Sequence, residues 1–174
     1  KSSFCHQRIS FLLEHGADPS KPNKDGIYPV EYAVITSNNT LLSELLISDK
    51  IDINQQIQIN NEKHFELLGR FDYLIDEIKF TTYLNLAAKS EDEGILILLL
   101  EKEGININAE DSLGNTPLMN ACIYKNEYMV NILFDFETQE LDFLHQNKEG
   151  KDALSLFDIK IKQPQNKSEY KNCY

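Results

Sequence analysis

Apolar residues recur along this chain in short clusters at helical spacing, set between stretches rich in Asn, Asp, Lys and Gly. From Glu62 to Lys79 the apolar residues Phe65, Leu68, Phe71, Leu74, Ile75 and Ile78 step by three and four, which predicts one face of a helix. Gly69 weakens its middle by about 1 kcal/mol relative to Ala and is the point where it could divide into two short helices. Elsewhere an apolar doublet returns, as Leu12-Leu13, Leu45-Leu46, Leu99-Leu100 and Leu133-Phe134. Two octapeptides also nearly repeat: Gly26-Ile-Tyr-Pro-Val-Glu-Tyr-Ala33 and Gly114-Asn-Thr-Pro-Leu-Met-Asn-Ala121. Thr116-Pro117 reads as a helix start, the Thr capping orphan backbone donors and the Pro needing none.

Two independent frames test the period. The capping position falls at Tyr28, Thr82, Thr116 and Asp152, in steps of 54, 34 and 36. A turn Asp or Asn falls at Asp18, Asp52, Asn106 and Asp142, in steps of 34, 54 and 36. Both frames place one surplus, roughly 20 residues, between Asn54 and Phe80. These motifs resemble the ankyrin-repeat signatures G-x-T-P-L-H-x-A and G-A-D-x-N, which mark a stacking unit of about 33 residues.

The resemblance implies an all-α solenoid of stacked helix-turn-helix units with short hairpin loops, about four to five repeats, the first and last incomplete. It divides the chain into a repeat domain over 1–160, interrupted by an inserted segment at 55–79, and a polar tail at 161–174 expected to be disordered. The doublets then close the second helix of each unit, with Gly16 and Gly104 as stop residues. Ala33, Ala87 and Ala121 let paired helices approach, and Phe157 at the next equivalent position predicts that the stack ends there. Gly26, Gly114 and Gly150 suit the hairpin turns, whereas Phe80 leaves the hairpin of the third repeat open to question. Ser90-Glu91-Asp92-Glu93 predicts a capping box before Ile95, and this solvated cap outweighs a calcium-binding or catalytic reading. The inserted segment is open to three readings: a helix that patches the stack, a protrusion offering Phe71 and Tyr73 to a partner, or a degenerate repeat.

Composition narrows the function. A net charge of −11 argues against nucleic-acid binding, which needs clustered Lys and Arg. Cys5, Cys122 and Cys173 are scattered, with no metal-ligand or disulfide spacing, so no metal or cofactor is expected and a reducing, intracellular setting is. That setting is cytoplasmic in the simplest reading, with the nucleus an alternative. The Ile95–Leu100 run is six residues, far short of a membrane span. His6, His15, His64 and His145 sit in no catalytic pattern. Asp72, Asp76 and Glu77 could pair as carboxylates, but an amphipathic helix needs a polar face, so an enzyme sited in the insertion is the weakest reading. The chain begins at Lys1, mid-repeat, and is expected to be a piece of a larger protein, monomeric in itself.

The resemblance implies a protein-protein interaction module, an adaptor or scaffold that binds a protein or peptide along the hairpin tips and the concave inner-helix face. A regulatory region acting on its own larger enzyme or channel is the alternative. Carried over by position, the partner-binding candidates are Lys24, Asp25, Ile27, Ile35 and Thr36; then Ile78, Lys79, Thr81, Lys89 and Ser90. In the next unit they are Ser112, Leu113, Asn115, Ile123 and Tyr124, and in the last Lys148, Glu149, Lys151, Ile159 and Lys160. Leu113, Ile123 and Tyr124 stand out as apolar residues expected to face solvent.

Overall fold

The computed structural model describes residues 2–59, 78–136 and 141–157, with residues 2–7 as backbone alone. The helical pattern from Glu62 to Ile75, with Phe71, Tyr73, Asp72, Asp76 and Glu77, therefore lies outside the described residues, as do Ile159, Lys160 and the tail. The described elements, in chain order, are α1 (Ser2–Glu14), α2 (Pro29–Ile35), α3 (Asn39–Leu45), β1 (Gln56–Gln58), β2 (Phe80–Thr82), α4 (Tyr83–Lys89), α5 (Glu93–Leu100), α6 (Pro117–Ile123), α7 (Glu127–Asp135) and α8 (Ala153–Leu156).

The helices pack in pairs, α2 on α3, α4 on α5 and α6 on α7, and the pairs stack. Inner helices α2, α4, α6 and α8 make one row and outer helices α1, α3, α5 and α7 the other. This is the expected solenoid. Its core runs along the seam, with Val34, Leu42, Leu84, Leu96, Leu99, Leu118, Met129 and Leu133 all buried. Ala33, Ala87 and Ala121 are fully buried where inner helices meet their neighbours. Cys122 packs beside them as a small apolar group, and burial pushes its thiol up to about 12.

Both sequence frames mark real turns. Tyr28, Thr82, Thr116 and Asp152 are the N-caps of the four inner helices. Thr82, Thr116 and Asp152 accept from the amides of Asn85, Met119 and Ser155. In the second frame Asp18, Asp52, Asn106 and Asp142 each accept from the amide two residues on: Ser20, Asn54, Asn108 and Leu144. At the first of these the Ser20 hydroxyl and amide hold the Asp18 carboxyl down at about 2. The outer helices are capped by Asn38, Asp92 and Asn126. The capping box expected from Ser90 is thus corrected. Asp92 caps α5, while the Ser90 hydroxyl turns back to the Ala87 carbonyl at 2.8 Å.

Tyr28 has no hydroxyl in capping reach, and the Glu31 carboxylate closes that turn instead, accepting from the Tyr28 amide at 3.1 Å. Glu31 has no exposed surface, and this burial raises its pKa from 4.5 to about 7. The folded state therefore holds a proton on Glu31 over a range where the unfolded chain has released it. That contribution is complete below pH 4.5 and is lost as pH rises to about 7. Glu31→Gln keeps an amide oxygen for the Tyr28 N–H and removes the titration. Urea unfolding should give near-equal stabilities at pH 4 and a variant more stable by up to ~3 kcal/mol at pH 8. A constant difference across pH would show that Glu31 is not the titrating group.

β1 and β2 pair antiparallel, Gln56 with Thr82 and Gln58 with Phe80, and the Ile59 amide extends the ladder to the Lys79 carbonyl. Phe80 at the glycine position therefore does not abolish structure there: the hairpin of this unit is stretched into a short ribbon. Its two strands leave and return as neighbours on either side of residues 60–77, so a long segment fits here without parting the stacked pairs.

Candidate binding face

The hairpin loops between units are built by one device repeated three times. Asn23, Asp111 and Asn147 each place a side-chain oxygen under two amides, those of Asp25 and Ile27, Leu113 and Asn115, and Glu149 and Lys151. Each stands three residues before the turn glycine, so Asn/Asp-x-x-Gly is the sequence signal that the period analysis missed. Gly114 has φ +78, and a Cβ there would lie 3.1 Å from the Lys148 amide nitrogen. A side chain there would strain the positive-φ backbone and push the next loop back by a few tenths of an ångström.

From Lys79 onward the loops are strung to one another. The Ser112 amide donates to the Phe80 carbonyl and the Lys79 amide to the Ser112 hydroxyl. One unit further, the Lys148 amide donates to the Leu113 carbonyl and the Lys148 ammonium to the Ser112 carbonyl. The Asn147 side-chain amide reaches Asn115 Oδ1, and His145 Nε2 donates to the Gly114 carbonyl. The turns at the opposite edge are joined similarly: Asn54 receives the Asn106 amide and donates to the Gly104 carbonyl, and Asn108 receives the Asp142 amide.

Beneath the loops lies a buried polar network between α4 and α6. The Asn85 side chain donates to Thr82 Oγ1 and the Ala109 carbonyl and accepts from Asn120, which also donates to Asp111. Lys89 Nζ stands 3.7 Å from Asp111 Oδ2 with both side chains buried. Burial holds the Lys89 ammonium below its usual pKa, against the opposing pull of Asp111.

This packing sorts the sequence-predicted residues. Lys24, Thr36, Lys79, Lys148, Glu149 and Lys151 are exposed, and Asp25, Leu113, Ile123 and Tyr124 are partly so. Leu113 also packs against the core, so it is less free than its position implied. Ile27, Ile35, Thr81, Lys89, Ser112 and Asn115 are buried, and so are Ile78 and Ser90. These eight are corrected. Ile27, Ile35 and Ile78 join the apolar interior, while Lys89, Ser112 and Asn115 spend their polar groups inside the loop and helix network. A residue the positional argument passed over, Tyr32 on α2, is 47% exposed on the same row of inner helices. Among the described residues no group of three or more His, Cys, Asp or Glu is placed to hold a metal ion. No helix among them is long and apolar enough to cross a membrane.

Comparison with known proteins agrees with this architecture. A family model described as ankyrin repeats (3 copies) matches residues 59–156. The chain is similar to "Putative ankyrin repeat protein FPV022" of Fowlpox virus (strain NVSL), 28% identical over 135 residues, covering 70% of this chain and 23% of that protein. It is also similar to "SMC5-SMC6 complex localization factor protein 1" of Bos taurus, 32% identical over 91 residues, covering 52% of this chain and 8% of that one. The chain thus spans less than a quarter of the length of either relative. The α2–α3 pair precedes the matched range yet shares the Asn cap of its outer helix and the Asn-clamped loop with units within it, Glu31 standing in for the side-chain cap of its inner helix. With more than half of its residues matched and the stacked helix pairs in place, the chain belongs to the ankyrin-repeat family.

Proposed function

We propose that this chain is a protein-interaction module that holds a protein or peptide partner along its loop tips and the exposed part of its inner-helix row. The observation that supports this reading most directly is the continuous row of loops. From Lys79 onward they are tied to one another, with the Lys148 ammonium turned back onto the Ser112 carbonyl, while Lys79, Glu149 and Lys151 present exposed side chains. Groups held in place before binding lose little entropy on complex formation, which favours contact with a folded surface. Tyr32, Thr36, Ile123 and Tyr124 extend the face along the helices, and Tyr is among the residue types that carry most binding energy. A partner in the same intracellular compartment fits the free thiol of Cys122. One relative is named as a localization factor for a complex, a role that such a module could serve here within a longer protein.

The test is capture of a stoichiometric partner by the chain, followed by its affinity for Tyr124→Asp and Lys148→Glu variants that keep the native circular dichroism. Each change should weaken binding at least tenfold, a loss of about 1.4 kcal/mol or more. Undiminished affinity in both would move the contact off this face.

A further inference from the structure

Outer helices α3, α5 and α7 lie side by side with their apolar sides turned to the inner row. Their opposite sides are not uniformly polar. Ile97 on α5 and Tyr128 on α7 are 40% and 71% exposed, and Ile47, in the turn closing α3, is 75% exposed. Scattered surface apolars are ordinary, but these three are in phase. Counted from the caps Asn38, Asp92 and Asn126, they fall at about 180°, 140° and 200° around their helices. Their heights above the caps are about 13, 7 and 3 Å, so they make a diagonal across the outward side of the outer helices. With helices about 9 Å apart, and allowing for the spread in direction, neighbouring members of the diagonal have Cα atoms roughly 8–12 Å apart. That range includes the rise of seven residues in an α-helix, about 10.5 Å.

The border of this diagonal is acidic. Glu93 and Glu101 flank Ile97, and Glu127 and Asp135 flank Tyr128, all exposed. Of the nearby cations, Lys102 is engaged by the Leu46 carbonyl at 2.7 Å, Lys50 lies beyond Ile47 at one end and the exposed Lys125 lies before the cap of α7 at the other. We propose that the outward side of the outer helices is a second docking surface, whose occupant is a basic amphipathic helix of another protein with apolar residues seven apart. Its apolar residues seat on Ile47, Ile97 and Tyr128 and its Lys or Arg residues face the bordering carboxylates. This surface is separate from the loop edge, so a second partner can be held while the first is bound.

The probe is a labelled helical peptide with leucines seven residues apart and lysines between them, compared with a peptide of equal charge whose leucines are serines. Anisotropy titration should show the leucine peptide binding the chain at least tenfold more tightly. Ile97→Asn with Tyr128→Asn should remove that preference and leave the serine peptide unchanged. Glu101→Gln with Asp135→Asn, which leaves the apolar residues in place, should weaken both peptides. Lys24→Gln with Lys151→Gln, at the loop tips, should alter neither. Equal affinity for the two peptides, a preference that survives the Ile97 and Tyr128 changes, or an equal loss from the loop-tip changes would overturn the proposal.

Discussion

Asp111→Ala is expected to destabilise the chain by about 3–5 kcal/mol in urea unfolding, the largest loss of any single polar change. The carboxylate holds four groups at once: the amides of Leu113 and Asn115, the Asn120 side chain and the Lys89 ammonium. Its removal leaves a buried cation with no other partner among the described residues and frees the loop that leads to Gly114. Lys89→Met should cost much less, because the carboxylate then retains three N–H donors while the butyl-like chain still fills its space. The two variants together separate the charge pair from the loop clamp. Equal losses would mean that the ion pair, not the clamp, carries the stability of this region.

Leu99→Ala should cost about 3 kcal/mol and Leu12→Ala less than about 1 kcal/mol, although the two leucines hold the same place in the repeat. Leu99 is fully buried between α5 and α4, as are Leu45 and Leu133 in their own pairs. Leu12 is 58% exposed because α1 packs on α3 and has no inner helix beside it among the described residues. In a stack stabilised by nearest neighbours, the same side chain is worth what its own unit surrounds it with. Chemical denaturation of the two variants checks this directly, and a loss at Leu12 as large as that at Leu99 would mean that α1 is covered in solution.

Much of this architecture was legible because it is set by local chemistry that one residue can satisfy. A helix start needs an oxygen acceptor over its free amides, and Thr82, Thr116 and Asp152 supply it at spaced positions. The turn residues Asp18, Asp52, Asn106 and Asp142 are legible for the same reason. The loop clamps Asn23, Asp111 and Asn147 and the outer caps Asn38 and Asn126 were equally local. They went unread because Asn is common in this chain and gains meaning only from its distance to Gly or to the next helix.

Burial at the site was not legible. Lys89 and Ser90 occupy positions equivalent to Ile35 and Thr36, yet all but Thr36 are buried. Exposure depends on what neighbouring units and loops place above a position, and no single repeat encodes that. The exposed Tyr32 was missed for the same reason.

The central claim is that the stacked units from α4 onward are tied loop to loop into one row, and scalar couplings transmitted across hydrogen bonds in a labelled sample test it most directly. Couplings are expected from the Ser112 amide to the Phe80 carbonyl and from the Lys148 amide to the Leu113 carbonyl, with both amides protected from exchange. Unprotected amides without these couplings, in a sample whose helices remain folded, would show separate loops and contradict the account.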